Sequence, residues 1–271
     1  MNRTIIDASK SKLSLNLREL FEYRDLFLVL AWRDLRVRYA QTFLGLFWAF
    51  LQPLATLLIF TLIFGRAIKV DTGDIPYPVY ALSGMLAWSY FAYVLNQSGQ
   101  SIIGAQEMVK KIYFPRLIIP LSKAVTGFVD FFITLLFLIG LMIYYHVSLS
   151  SNIIYLPFFF ILGVLAAVGV GIWVSSLTIR YRDFQHVIPF LVQIGLYATP
   201  IAYPASMIPD KYQLLYHLNP MAGVVEGYRW SLMGREVMSE YAWISFAIIL
   251  LLFISGLFYF RKIEGEIADI I

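Results

Sequence analysis

Six long apolar stretches, at 44–64, 77–95, 121–145, 153–177, 187–202 and 242–260, alternate with short polar segments along the chain. A helix needs roughly 20 apolar residues to cross the hydrocarbon core of a bilayer. Five stretches meet or nearly meet that length, and the fifth in order is short and closes on Pro200. In lipid every backbone amide must be paired within its own segment, so these stretches predict helices. The fold class expected is therefore an all-α integral membrane protein with six transmembrane helices.

Charge then sets the orientation. Lysine and arginine cluster before the first stretch, between the second and third, between the fourth and fifth, and after the sixth, which accounts for 16 of the 21. The other five are Arg66, Lys69, Lys211, Arg229 and Arg235. The excess of basic residues marks the cytoplasmic side, so both termini are expected in the cytoplasm of a multi-pass protein. The net charge of +4 is explained by this topology and calls for no nucleic acid. The polar N-terminus and the late, long first stretch do not read as a cleaved signal.

Composition agrees with a bilayer. Hydrophobic residues make up 60%, charged residues 14%, and mean hydropathy is +0.73, against about 25% charged in globular domains. The organisation expected is a cytoplasmic N-terminus at 1–40 with an interfacial helix, a six-helix transmembrane domain at 41–262 and a cytoplasmic tail at 263–271. No cysteine is present, which removes disulfides and thiolate metal sites.

The N-terminal segment carries helical signals. Asn16 followed by Glu19 resembles a capping box. Leu28, Trp32, Leu35 and Tyr39 fall on one helical face, with arginines beside it, which predicts an amphipathic helix in the membrane interface. The alternative is a soluble helix packed on a partner.

Within the apolar stretches, Gly163, Ala167, Gly171 and Ser175 form a small-residue stripe that lets a neighbouring helix approach closely. A helix of the same chain is the expected neighbour. Asp130 is an ionisable group inside a stretch, a functional position by default. Lys123, seven residues earlier on nearly the same face, offers it a structural partner instead. Aromatic residues reach 17%. Trp48, Trp88, Tyr144 and Tyr145 fit interfacial belts; some other aromatics would suit a conduit that stacks on sugar rings.

The segment 199–234 is the most unusual. Pro200, Pro204, Pro209 and Pro220 break it into pieces too short to span. Asn219-Pro220 is a helix start, with asparagine as N-cap and proline first. Glu226 and Arg229 follow, three apart on one face and able to pair. An external, partly re-entrant helical hairpin between the fifth and sixth spans is expected, because irregular backbone at membrane depth must be covered by protein or line a cavity.

Chemistry of other kinds is missing from the sequence. No G-x-x-x-x-G-K-[ST] loop, HExxH or GxSxG motif occurs, and His146, His186 and His217 are scattered. Nothing assembles a catalytic or metal site, and coupled carriers would need more ionisable groups at mid-membrane.

The residues RVRYAQTFLGLFWAFLQPLATLLIFTLIFGR (36–66), KKIYFPRLIIPLS (110–122) and RYRDFQHVIPFLVQIGLYATPIAYP with LNPMAGVVEGYRWSLMG (180–234) resemble the type-2 ABC transporter permeases. The branch is that of exporters of lipid-linked O-antigen or teichoic acid. The resemblance runs from about residue 17 to 262. It implies a second copy of the chain and two nucleotide-binding ATPase subunits. ATP and Mg would sit on those partners, with no cofactor on this chain, and the protein would lie in a bacterial cytoplasmic (inner) membrane. A short cytoplasmic helix at about 100–111 would dock on the ATPase, through Ile102, Ile103, Gln106, Glu107, Val109 and Lys110. The hairpin would form an outer gate with Pro200, Pro204, Asn219, Pro220, Glu226, Tyr228 and Arg229. Two other readings stay open: a drug or small-lipid exporter of the same fold, which would show a closed apolar pocket, and a membrane glycosyl- or acyltransferase, which would need converging carboxylates or histidines.

Overall fold

The computed structural model describes residues 17–40, 45, 47–234, 238–265 and 267. Asn16, residues 41–44 and most of the tail beyond Glu264 lie outside them, so the capping box and the entry into the first span are not covered.

Every regular element among the described residues is helical. The helices are α1 (Leu17–Glu22), α2 (Arg24–Ala40), α3 (Phe47–Phe60), α4 (Tyr77–Gly104), α5 (Gln106–Lys111), α6 (Ile118–Tyr144), α7 (Leu156–Arg180), α8 (Phe184–Ala198), α9 (Asp210–Tyr216), α10 (Pro220–Met233) and α11 (Ala242–Glu264). A π-helical segment, Thr61–Ala67, continues α3, and a 3-10 turn, Ser151–Tyr155, leads into α7.

Four of these units are long and apolar enough to cross a bilayer: Phe47–Ala67, Ile118–Tyr144, Ser151–Arg180 and Ala242–Glu264. They make the chain an integral membrane protein. The other two apolar stretches fold differently. The second becomes α4, which has 28 residues. Its helical rise gives it a length of about 42 Å, enough to span, but it carries Ser83, Ser89, Asn96, Gln97, Ser98, Gln100 and Ser101. That polarity is tolerated because α4 is the centre of the bundle, packed by α6, α7, α8 and α10. The fifth becomes α8, which has 15 residues with Pro189 inside it. It reaches only about 22 Å by the same rise.

Close approach organises the centre. The stripe on α7 faces inward, as expected: Gly171 abuts Ser98 of α4, and Gly163 abuts Val224 and Tyr228 of α10. Gly227 of α10 is required by contact, since a Cβ there would stand 2.1 Å from the Phe159 ring of α7. Gly195 of α8 is required likewise, because a Cβ would stand 2.4 Å from the Trp88 indole of α4. Trp88 is thus a buried packing residue and not an interfacial belt residue; Trp48, Tyr144 and Tyr145 are exposed.

α2 lies across α6. Its inner face is Leu30 and Ala31, both buried, flanked by Asp34 and Arg38. Asp34 binds Lys123 of α6, and Arg38 and Tyr39 both bind Asp130 of α6. Lys123 and Asp130 therefore do not pair with each other; each takes its partner from α2, since a helix pressed against them offers opposite charges at closer range than a residue two turns away. On the predicted face, Leu28 and Trp32 are 58% and 68% exposed, while Tyr39 is turned inward to Asp130. The protein-facing surface of α2 is rotated away from that stripe.

The Arg38–Asp130 contact is mostly shielded from solvent, with the carboxylate side chain at 15% exposure. Removing one partner of a shielded pair strands the other. Asp130→Ala is expected to lower the stability of the detergent-solubilised protein by about 2 kcal/mol, read from thermal unfolding. Arg38→Met combined with Asp130→Leu is expected to recover most of that loss.

Candidate functional site

Two polar constructions stand out in an otherwise apolar bundle. The first is a groove of about 710 Å³ between α2, α3, α4, α6 and α8. α3 contributes Gln52, Pro53 and Thr56; α4 contributes Trp88, Ser89, Tyr93, Asn96 and Gln97; α8 contributes Val192, Gln193 and Leu196. The Lys123–Asp34 and Arg38–Asp130 pairs close one end. Arg38 also lies over the Tyr93 ring, 4.1 Å from its centroid.

Several lining groups bond to their own helices. Asn96 donates to the Ala92 carbonyl at 2.9 Å, and Thr134 to that of Asp130 at 2.8 Å. The side chains of Gln52, Gln97 and Gln193 make no hydrogen bond to the described residues, and all three are exposed. Carboxamides left open to hydrocarbon would be costly, so in a bilayer these groups call for water, a polar guest or another protein surface. Sequence reading missed these residues. For two of them a signal was present: Gln52 and Gln193 are isolated glutamines inside apolar stretches that could have carried leucine, whereas Gln97 lies in the polar run after the second stretch.

The second construction is the hairpin. Asn219 caps α10 by accepting from the Met221 amide at 2.9 Å, Pro220 occupies the first turn, and Gly234 ends the helix at φ 68°. α10 is buried along nearly its whole length against α4, α7 and α11, a degree of enclosure that a loop on the surface would not have. Of the residues named for this segment, Pro200, Pro204, Glu226, Tyr228 and Arg229 are buried. Asn219 ties the hairpin back to α8 by donating to Thr199 Oγ1 at 2.8 Å.

Glu226 and Arg229 do not pair with each other. Arg229, 1% exposed, donates to Tyr80 Oη at 2.6 Å and to the Ile201 carbonyl at 2.8 Å. Its guanidinium also lies 3.6 Å from the Tyr80 ring centroid, so one cation joins α10, α4 and the start of the hairpin. Glu226 turns the other way. Its Oε2 accepts from the Ser239 amide at 3.0 Å, and its Oε1 lies 3.1 Å from Nε2 of His217. Ser245 of α11 donates to the His217 and Asn219 carbonyls at 2.8 and 2.9 Å.

His217 is fully buried in the turn between α9 and α10, outside the four spans. Its Nδ1 lies 2.8 Å from the Gln213 carbonyl. A carbonyl can only accept, so Nδ1 carries a hydrogen. The Nε2–Glu226 contact then holds one shared proton. Burial disfavours the charged ring, but the bonds to Glu226 and to the Gln213 carbonyl outweigh it, and the His217 pKa lies above the ordinary 6.5.

At the opposite end, α4 stops at Gly104 and α5 begins at Gln106. The expected helix at 100–111 is thus two helices with a break at Ala105. Ile102, Ala105 and Val109 are buried, Ile103 is half-buried, and Gln106, Glu107 and Lys110 are exposed. Gln106 therefore does not share the buried face with Ile102 and Val109, because the break rotates α5 relative to α4. The following loop is tied down: Tyr113 Oη donates to Glu19 of α1 at 3.1 Å, and the Arg116 amide donates to Glu264 of α11 at 2.8 Å. Among the described residues no cluster of metal-ligating side chains forms.

This layout is matched by a known family. The ABC-2 type transporter profile covers residues 25–233. The chain belongs to the ABC-2 type transporter family. It is 30% identical over 261 residues to an O-antigen export system permease protein RfbA of Klebsiella pneumoniae, covering 96% of this chain and 99% of that one. A protein of the same name from Myxococcus xanthus is 27% identical, over 78% of this chain and 82% of its own. The polysialic acid transport protein KpsM of Escherichia coli is 26% identical, over 72% and 76%. As an ABC-2 type transporter the chain is a transport subunit, and the groove and the hairpin are its two polar features within the bundle.

The shared proton of the hairpin has a pH consequence. His217 has a folded pKa raised above the ordinary 6.5. Its contribution to stability is therefore complete below the unfolded value and is lost as pH rises through the folded value. The thermal midpoint of the detergent-solubilised protein is expected to fall as pH rises above the unfolded histidine value of about 6.5. Glu226→Gln, which removes the carboxylate but keeps a bond to the Ser239 amide, is expected to flatten that dependence.

Proposed function

We propose that the chain is the membrane subunit of an ATP-driven exporter that moves a lipid-linked polysaccharide out across the bacterial cytoplasmic membrane. The observation that carries this reading is the groove: open along one side, rich in carboxamide and hydroxyl groups, and set at bundle depth in a chain whose relatives are named for polysaccharide export. A small lipid or drug would call for a closed apolar pocket, and a transferase for converging catalytic carboxylates. A sliding polymer is better served by many weak polar contacts than by one tight site.

In this reading two copies of the chain act with two ATPase subunits, which hold ATP and Mg, and this chain holds no cofactor. α4 and α8 complete a six-span topology with cytoplasmic termini, α4 shielded by its neighbours and α8 short because it hands over to the hairpin. α2 rests in the membrane interface, with exposed Leu28, Val29 and Trp32 toward lipid and arginines beside them. The hairpin is the outer gate, and α5 receives force from the ATPase.

Deleting the chain is expected to remove a polysaccharide from the cell surface and to leave it inside, with export restored by the parental chain. Surface glycan unchanged by deletion would overturn the reading. The α5 role has its own test. Gln106 is the first residue of α5, where proline is tolerated. Val109 instead donates its amide to the Ala105 carbonyl at 3.0 Å. Val109→Pro removes that bond and distorts α5 at a cost of ~3 kcal/mol. It is expected to leave the permease inserted but to weaken co-purification of the ATPase at least severalfold, while Gln106→Pro does so less. Equal ATPase recovery with Val109→Pro would exclude α5 as the contact.

A further inference from the structure

The relatives of this chain are named for cargoes of different charge: polysialic acid is a polyanion, whereas the name O-antigen specifies no charge. The groove itself discriminates. Every charged side chain in its lining is already matched by an opposite one. Lys123 is bound to Asp34, with side-chain exposures of 12% and 16%, and Arg38 to Asp130, with 32% and 15%. Arg33, outside the lining, shares Asp34 at 3.0 Å. Each lining cation has an acidic partner, so the lining carries no net positive charge.

What remains open is uncharged. Gln52 on α3, Gln97 on α4 and Gln193 on α8 reach the same groove from three helices, and none has a side-chain partner among the described residues. A carboxamide offers two donors and an acceptor, which matches the mixed donor and acceptor character of a sugar hydroxyl. A carboxylate or phosphate on each repeat would instead need a cation or water to replace its hydration, and the penalty for an unpaired charge in such a site exceeds that for a hydroxyl.

We infer that the repeat units of the polymer that passes this groove are uncharged sugars, contacted by Gln52, Gln97 and Gln193. The inference rests on the export reading above and concerns the repeat, not the lipid-bearing end of the chain. It also assigns the two ion pairs a second duty: besides fastening α2 to α6, they cancel charge at the end of the groove.

The test begins with the polysaccharide that disappears from the cell surface when the chain is deleted. Its repeat is expected to contain neutral and N-acetylated sugars without uronic acid, sialic acid or phosphate. A repeat carrying an acidic group would overturn this inference and leave the export reading standing, whereas loss of no polysaccharide would overturn the export reading and this inference with it. A second arm uses the full chain with its ATPase. Gln193→Lys and Gln193→Glu, compared at equal insertion, are expected to export within about threefold of each other, because an uncharged repeat gives a new charge nothing to attract or repel. Export favoured by lysine over glutamate by about tenfold or more would mean an anionic repeat and sink the inference.

Discussion

A polar group at bilayer depth has to find its partner inside the protein or face an aqueous space, since hydrocarbon offers none. Any buried polar group meets the same constraint, and among the described residues Arg229 is the largest side chain that is fully buried. A fully desolvated guanidinium with the Tyr80 hydroxyl, the Tyr80 ring and the Ile201 carbonyl around it fixes three segments far apart in sequence. Because those partners are specific in direction, α10 can sit in only one rotation against α4. Gly84 permits the approach: a Cβ there would stand 2.9 Å from the Arg229 side chain. The apolar packing of Met221, Val224, Val225 and Leu232 follows from that rotation and supplies the area, but area alone would not choose it.

The same constraint, met in two ways, separates the hairpin from the groove. In the hairpin several polar groups bind one another, His217 with Glu226 and Gln213, Ser245 with two carbonyls, Asn219 with Thr199 and Met221, while Gln213 Oε1 and Arg229 Nε stay buried without a partner. Such a network favours one arrangement and resists displacement. In the groove the charged groups are saturated and the carboxamides are not. On the proposed export reading, that division fixes the walls, through α2 and α6, and leaves the surface between them open to exchange one hydrogen-bonding guest for another.

Much of the fold was legible because it depends on hydropathy and helix caps. The α10 start at Asn219-Pro220, the inward stripe of α7 and the helical class all follow from short-range rules that tertiary contacts did not override. Partner choice was not legible. Glu226 and Arg229 at a three-residue spacing suggest a pair, yet in a buried helix the neighbours on α4 and in the α9–α10 turn are as near as the next turn, and they decide. Asp130 and Lys123 repeat the lesson on α6. The split between α4 and α5 was overlooked although Gly104 is a helix-stop signal at the break; the next residue, Ala105, leaves the helical region at −106° and 12°. Gln52 and Gln193 were hidden because a hydropathy count absorbs a lone carboxamide without comment.

The two ends of the bundle are also held with different strength. At the hairpin end the bonds are buried and charge-assisted, and breaking one strands a desolvated group at a cost of roughly 3–5 kcal/mol. At the α5 end the bonds joining the loop to α1, such as Tyr113 to Glu19, are solvent-exposed, where polar contacts contribute about 0–1 kcal/mol. The loop is also packed into the core through Phe114, Pro115 and Leu117, all buried. Arg116 and Glu264 bind that loop to the end of α11, and α11 packs along α7 and α10. One continuous helix, α11, thus touches both the loop and the hairpin.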